Sequence, residues 1–276
     1  MTIIAVKCDK TSLKKFEQAG FKYYELYIKA DDSLDEVVYS KLKPVSVHVP
    51  SYVIVDGKLI RMNLSDPGLI GDKSEQRLRQ TIEYAKKLNC SKVVVHTDSS
   101  GREDACEIAA KRLEKANDPD VLICIENLPQ WKNLPPSLTN DADAILKLKN
   151  KAKIPLGVVL DIAHIYLTAA HENKDPEKLI QDFFEKIKPD IIHVCGSDPA
   201  NYTPSKVSTL IGEHFPVAFE GILEGKHAKD KTNHKLWTSL LQDKETPIVL
   251  EIDERPDYDR MKELVKGKEF IESLLK

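Results

Sequence analysis

The sequence contains few cysteines, no long apolar segment and no strong excess of charge of one sign. Its five cysteines are widely spread and include no Cys-X-X-Cys pair, which is typical of reduced thiols in a cytosolic protein and not of a disulfide framework. The amino terminus, MTIIAVKCDK, has no long apolar signal region, and no segment approaches the length needed to span a bilayer. We therefore expect a cytoplasmic protein without a membrane partner.

The charge balance also excludes a broadly basic surface. The net charge is -3 and the pI is near 6.3, so there is no global signal for nucleic-acid binding, although a local basic groove is compatible with these values. Hydrophobic residues make up 41% of the chain and charged residues 31%, which is typical of a folded globular protein. A chain of 276 residues has room for one α/β barrel or for two smaller domains.

Short β-branched runs alternate with amphipathic stretches along the chain. The runs are TIIAVK, YYELYI, PVSVHVP, KVVVHT, VLICIEN, GVVLDIA, IIHVC and IVLEI. Between them, segments such as KSEQRLRQTIEYAKKL carry apolar residues at helical spacing: Leu78, Ile82, Ala85 and Leu88. Eight apolar strands alternating with helices over about 250 residues indicate a (β/α)8 barrel. A doubly wound open sheet is the main alternative, but no glycine-rich phosphate loop follows the first strand.

A ninth apolar run, PVAFEG at 216–221, lies between IIHVC and IVLEI. We interpret this run as an inserted loop or hairpin, because the eight other runs already complete a barrel. No Pro/Gly/Ser-rich linker and no internal repeat divides the chain. The sequence therefore predicts a single TIM-barrel domain over 1–276, with an insertion near 199–230.

Six of the predicted strands end in a residue that can bind a metal ion. They are His48, His96, Glu126, Asp161 (with His164 just beyond it), His193 and Glu251. Each alone is more often a hydrogen-bonded residue or a helix cap, but the strand ends of this barrel converge on one mouth. Charged groups gathered there need a shared cation. Histidine and carboxylate ligands without thiolate suit zinc, manganese or iron, and a glutamate can bridge two ions.

These motifs resemble those of the xylose isomerase-like barrels, and most closely the endonuclease IV branch. The segment VHVPSY, with His48 and Tyr52, is similar to the His-Ala-Pro-Tyr element of that branch, with one extra residue before the tyrosine. The segments KVVVHT, IENLP, LDIAH and IIHVCGSD resemble its later strand ends, in the same order.

The resemblance implies a metal-dependent hydrolase that cleaves a phosphodiester, either at an abasic site in DNA or in a small phosphate ester. Its first ion would be held by His48, His96 and Glu126. Its second ion would be held by Glu126, Asp161, His193 and Glu251. Zinc is the expected metal, with manganese or iron as alternatives, and Glu126 and Glu251 are the expected catalytic residues.

The chain departs from endonuclease IV at the third ion. That ion is held there by the histidine matching His164 and by an Asp-Arg-His motif, and no such triplet occurs in this sequence. The corresponding region, HFPVAFEGILEGKHAKD, offers candidates without the spacing of the motif: His214, Glu220, Glu224, His227 and Asp230. The sequence thus predicts one or two ions and leaves a third site open.

The sugar isomerases and epimerases of the same superfamily provide the alternative function. The resemblance to them implies one manganese-like ion, with Glu126 and Glu251 shuttling a proton beside a metal-polarised carbonyl and His164 contacting the sugar. His48 and His96 separate the two functions: metal ligands indicate a multinuclear hydrolase, and hydrogen-bonding groups indicate a sugar site. A barrel that binds metal or ligand without catalysis is a third possibility.

Two further residues are predicted to support the site. Tyr52 follows a predicted strand end, where an aromatic ring can stack on a base or a sugar. Asn127 follows Glu126 directly, and its amide is expected to orient that carboxylate or the substrate.

Overall fold

Eight parallel strands close into a barrel, with helices in the connections between them. The computed structural model describes residues 2–38, 40–97, 101–130, 137–195, 245–252 and 259–276. The barrel strands are β1 (Ile4–Cys8), β2 (Tyr23–Tyr27), β3 (Lys43–His48), β6 (Lys92–Val95), β7 (Leu122–Glu126), β8 (Leu156–Asp161), β9 (Ile191–Val194) and β10 (Ile248–Leu250). The last strand closes on the first, with Ala5 opposite Val249. The predicted (β/α)8 barrel is confirmed, and the open-sheet alternative is excluded.

The helices follow the apolar periodicity of the sequence. They are α1 (Leu13–Gln18), α2 (Leu69–Lys87), α3 (Ala105–Ala116), α4 (Ala142–Lys151), α5 (Ile162–Glu172), α6 (Pro176–Lys186) and α7 (Arg260–Leu274). In α2, the predicted apolar positions Leu78, Ile82 and Ala85 are buried in the core. Burying a leucine or isoleucine side chain contributes about 1.5–3 kcal/mol, so this face anchors the helix to the barrel.

A small hairpin that the sequence analysis did not predict follows β3. Its antiparallel strands are β4 (Tyr52–Val55) and β5 (Lys58–Arg61). Asp56 and Gly57 form the turn with positive φ angles of 49° and 74°. A two-residue Asp-Gly connection with positive φ at both positions is a strong hairpin signal, because its twist matches that of the flanking strands.

A layer of small apolar side chains fills the barrel below its mouth. It consists of Ala5, Val94, Cys124, Val159, Ile191 and Val249. Side chains alternate along a strand, so the residue two positions further along each strand also faces the interior. Those residues are Lys7, His96, Glu126, Asp161, His193 and Glu251. A charged layer therefore lies one step above the apolar layer, at the carboxyl ends of the strands.

The predicted insertion near 199–230 lies outside the described residues, as do PVAFEG and the candidates His214, Glu220, Glu224, His227 and Asp230. Among the helices that are described, none is both long enough and apolar enough to cross a bilayer.

Candidate metal centre

Two histidines from neighbouring strands converge on one oxygen of Glu126. Nε2 of His48 lies 3.0 Å from Glu126 Oε2, and Nε2 of His96 lies 3.2 Å from the same oxygen. The Nδ1–H of His48 donates to the backbone oxygen of Val49 over 2.6 Å, which leaves Nε2 as the atom that faces Glu126. A histidine whose other nitrogen is fixed in this way is oriented to bind a metal ion.

The low pKa of His96 also suits metal binding. Burial lowers the pKa of His96 to about 4, and the negative charge of Glu126 only partly offsets that effect. At neutral pH the ring is therefore uncharged, as a metal-binding imidazole must be.

The second group lies on the other side of Glu126. Nδ1 of His193 is 3.6 Å from Glu126 Oε1 and 3.0 Å from Glu251 Oε2. Asp161 completes this group, in which one ligand atom from each residue lies within 4.8 Å of every other. Within the same limit, His48, His96 and Glu126 form the first group. Glu126 belongs to both groups, so its two oxygens face two candidate ion positions.

The donors of both groups fit a divalent metal ion. Nε2 of His96 and Nδ1 of His193 are buried, and neither makes a hydrogen bond of normal geometry with the part of the chain that is described. Buried polar atoms without a hydrogen bond are rare and need an explanation. A cation held by imidazole nitrogen and carboxylate oxygen would satisfy both of them.

Lys7 adds a cation that the sequence analysis missed. Its Nζ lies 2.6 Å from Glu251 Oε1 and 3.7 Å from Glu25 Oε1. Burial alone would lower the pKa of Lys7, but the charges of Glu251, Glu126 and Glu25 outweigh burial and raise it. The lysine is therefore a fixed positive charge beside the second group.

Glu25 is the other residue that the sequence analysis missed. It is fully buried in β2. Its Oε2 accepts a hydrogen bond of 2.5 Å from Ser46 Oγ and lies 3.1 Å from His193 Nε2. Burial alone would raise the pKa of Glu25, but the positive charge of His193, its hydrogen bond and the charge of Lys7 outweigh burial and lower the pKa below its usual value.

Asp161 ends its strand and begins the next helix. Its Oδ1 accepts a hydrogen bond of 2.9 Å from the backbone N–H of His164, so it caps α5. The Asn127 amide donates to the backbone oxygen of Asp161 over 3.0 Å and accepts from its N–H over 2.6 Å. Nδ1–H of His164 in turn donates to the backbone oxygen of Asn127 over 2.7 Å. These contacts of Asn127 fix the backbone of Asp161, and its role in orienting Glu126 or the substrate stays a prediction.

Among the described residues, Tyr27 is an aromatic neighbour of the first group. Its ring centroid lies 5.7 Å from that of His48. Tyr52, the predicted stacking residue, belongs to the hairpin and is 42% exposed. Tyr27 ends β2 within the run YYELYI, so its place next to β3 follows from the barrel register.

Comparisons with known proteins give the same architecture. Residues 13–274 match the family described as the xylose isomerase-like TIM barrel. A comparison with curated proteins gives no match. Endonuclease IV from Thermus thermophilus superposes with a TM-score of 0.66 at 17% identity, over 99% of this chain and 98% of that one. A family 2 AP endonuclease from Brucella melitensis gives 0.62 at 18%, over 98% and 99%. An L-ribulose 3-epimerase gives 0.66 at 14%, over 100% and 95%, so these likenesses describe the fold alone.

Proposed function

The chain belongs to the xylose isomerase-like TIM barrel family, and from that premise we propose that it is a divalent-metal-dependent phosphodiester hydrolase. Its substrate would be DNA with an abasic site or a small phosphate ester. The observation that carries the proposal is the approach of His48 Nε2 and His96 Nε2 to the same oxygen of Glu126. A site with one ion does not need these two histidines as ligands, whereas a site with two ions does.

We propose the following ligands for the two ions. The first would be held by His48, His96 and Glu126, and the second by Glu126, Asp161, His193 and Glu251. Zinc suits these donors best, and manganese or iron are the alternatives. When bound, such ions supply Lewis acidity that activates water and offsets the charge on phosphate oxygens.

The protein groups complete this chemistry. Glu126 and Glu251 are the proposed catalytic residues, because their carboxylates can orient a water molecule and accept its proton. Lys7, fixed 2.6 Å from Glu251 Oε1, supplies a positive charge that favours an anionic substrate. His164, whose Nδ1–H is held by the Asn127 backbone, is the proposed substrate contact. The five cysteines are buried, reduced thiols, which suits the reducing cytoplasm that we propose as the location.

A sugar isomerase or epimerase is the second candidate. The observation in its favour is the approach of two carboxylates, Glu126 and Glu251, to the same nitrogen of His193, at 3.6 Å and 3.0 Å. Two carboxylates around a single ion can move a proton between the carbon atoms next to a polarised carbonyl. In this function His48 and His96 would bind sugar hydroxyls and no metal ion.

Both functions are tested by assaying the same zinc- or manganese-loaded protein with two substrates. We expect cleavage of a duplex that contains one abasic site, no cleavage of the matched intact duplex, and no conversion of a panel of ketoses. Glu126→Gln should reduce cleavage by at least roughly 10–100-fold, since even the loss of a group that only orients a metal ligand costs about that much. Glu263→Gln is the matched control, because Glu263 is also buried but lies in α7. Ketose conversion without duplex cleavage would contradict the hydrolase.

A further inference from the structure

The two ring nitrogens of His193 face different partners. Nδ1 faces the second ligand group, 3.0 Å from Glu251 Oε2. Nε2 faces away from that group, 3.1 Å from Glu25 Oε2. A histidine can bind a metal ion through either nitrogen, and the hydrogen bond made by the other nitrogen selects which one is used.

Glu25 is built into the barrel to serve as that partner. It is fully buried, both of its carboxylate oxygens lie 3.1 Å from His193 Nε2, and Ser46 Oγ donates a hydrogen bond of 2.5 Å to one of them, Oε2. Lys7 is further away, at 3.7 Å from Oε1. A buried carboxylate is costly unless it is hydrogen-bonded and paired. Among the described residues, neither candidate ligand group includes Glu25, so metal ligation does not account for its burial.

His48 provides an internal comparison. Its ring is turned the other way, because Nδ1–H donates to the neutral backbone oxygen of Val49 and Nε2 faces Glu126. The two histidines would therefore bind through opposite nitrogens. One is held by a neutral oxygen and the other by a charged carboxylate, and a carboxylate partner makes the imidazole a stronger donor.

We propose that Glu25 is a positioning residue that accepts the Nε2–H hydrogen bond of His193 and so presents Nδ1 to the second ion. Ser46 holds the Glu25 carboxylate in place for this contact. The inference rests on the proposed metal-dependent function and deepens it, because it identifies the group that sets the geometry of the second ion position. Glu25 touches neither ion nor substrate in this scheme.

The first test is spectroscopic and needs no variant. Long-range proton–nitrogen NMR spectra of the zinc-loaded protein, labelled with ¹⁵N in histidine, distinguish Nδ1 from Nε2 ligation. A His193→Gln sample assigns the resonance. We expect His193 to be bound through Nδ1 with a slowly exchanging Nε2–H, and His48 to be bound through Nε2. Ligation of His193 through Nε2 would overturn the inference.

The second test is zinc affinity, measured by competition with a chromophoric chelator. Glu25→Gln should weaken binding of the second ion about 10–100-fold, the usual cost of losing such a partner. Ser46→Ala should weaken it less and serves if Glu25→Gln does not fold. Glu263→Gln, a buried glutamate in α7, is the matched control and should bind as the wild type does.

The outcomes separate the inference from the proposed function. A wild-type protein that binds zinc, together with a Glu25→Gln protein of equal affinity, overturns only the role of Glu25. A wild-type protein that binds no divalent ion overturns both the role of Glu25 and the proposed function.

Discussion

Glu126 is the residue on which both candidate ion positions depend. Its Oε2 faces Nε2 of His48 and of His96, and its Oε1 lies 3.6 Å from Nδ1 of His193. Burial would raise the pKa of this carboxyl, but the positive charge of His193 beside it holds the pKa well below its usual value. Glu126 is thus ionised in a buried site, which is the form in which a carboxylate would hold a cation.

The low pKa of His96 predicts a pH dependence of stability in the metal-free protein. Its pKa of about 4 when folded lies below the usual value for histidine, about 6.5. Between these values the unfolded chain binds more protons, so stability falls as the pH is lowered. In the presence of a chelator, the wild type should lose roughly 1–2 kcal/mol more than His96→Asn between pH 7.5 and pH 5. Urea unfolding at both pH values measures this difference, and equal losses would contradict the prediction.

Lys7 predicts an effect of metal on stability. Lys7→Met removes the cation beside Glu251 and Glu25 and leaves buried carboxylates without it. Breaking a buried ion pair in this way costs about 3–5 kcal/mol. We expect that loss in urea unfolding with a chelator present, and a smaller loss with zinc, because bound zinc replaces part of the missing positive charge. The same loss in both conditions would show that Lys7 does not share its partners with an ion.

At the scale of the strand, alternation decides which residues reach the mouth. Six strand ends could be predicted because a polar residue interrupts an apolar run, as in VVLD or ICIE. Lys7 and Glu25 could not be predicted in this way, because each lies inside its strand, with apolar or aromatic residues on both sides, in IAVKC and YYELY. Counting two residues from Ala5 and from Tyr23, which face the barrel layer, would have located both.

At the scale of the secondary-structure element, Asn127 links the end of β7 to the end of β8. Asn127 satisfies both the N–H and the C=O of Asp161, which is fully buried. Asn127→Ala should lower the free energy of unfolding by about 2–4 kcal/mol, since each unsatisfied buried group costs about 1–3 kcal/mol. Asn117→Ala, at the exposed end of α3, should change it little. Chemical denaturation of the three proteins measures the effect, and equal stabilities would show that the Asp161 backbone finds other partners.

At the scale of the whole molecule, closure of the barrel brings the ends of the chain to the same site. Lys7 and Glu251 are 244 residues apart in sequence and 2.6 Å apart in space. The order of the strands could be predicted from the alternation of strands and helices, because in a (β/α)8 barrel each strand pairs with the next one along the chain and the last pairs with the first. The Lys7–Glu251 pair could not, because it depends on the register between β1 and β10, and near-continuous apolar runs do not fix the register of strands that are buried on both faces. The Asp56–Gly57 hairpin, by contrast, carried a local signal that the sequence analysis did not use.

The most direct measurement of the shared-ligand centre is zinc content per chain, determined by elemental analysis after saturation and removal of free metal. We predict two ions in the wild type and in the Glu263→Gln control. We predict one ion in the His48→Ala/His96→Ala double variant, which keeps the second group, and fewer than two in Glu126→Gln. A single ion in the wild type that is retained in the double histidine variant would contradict the two-ion centre and favour the sugar isomerase.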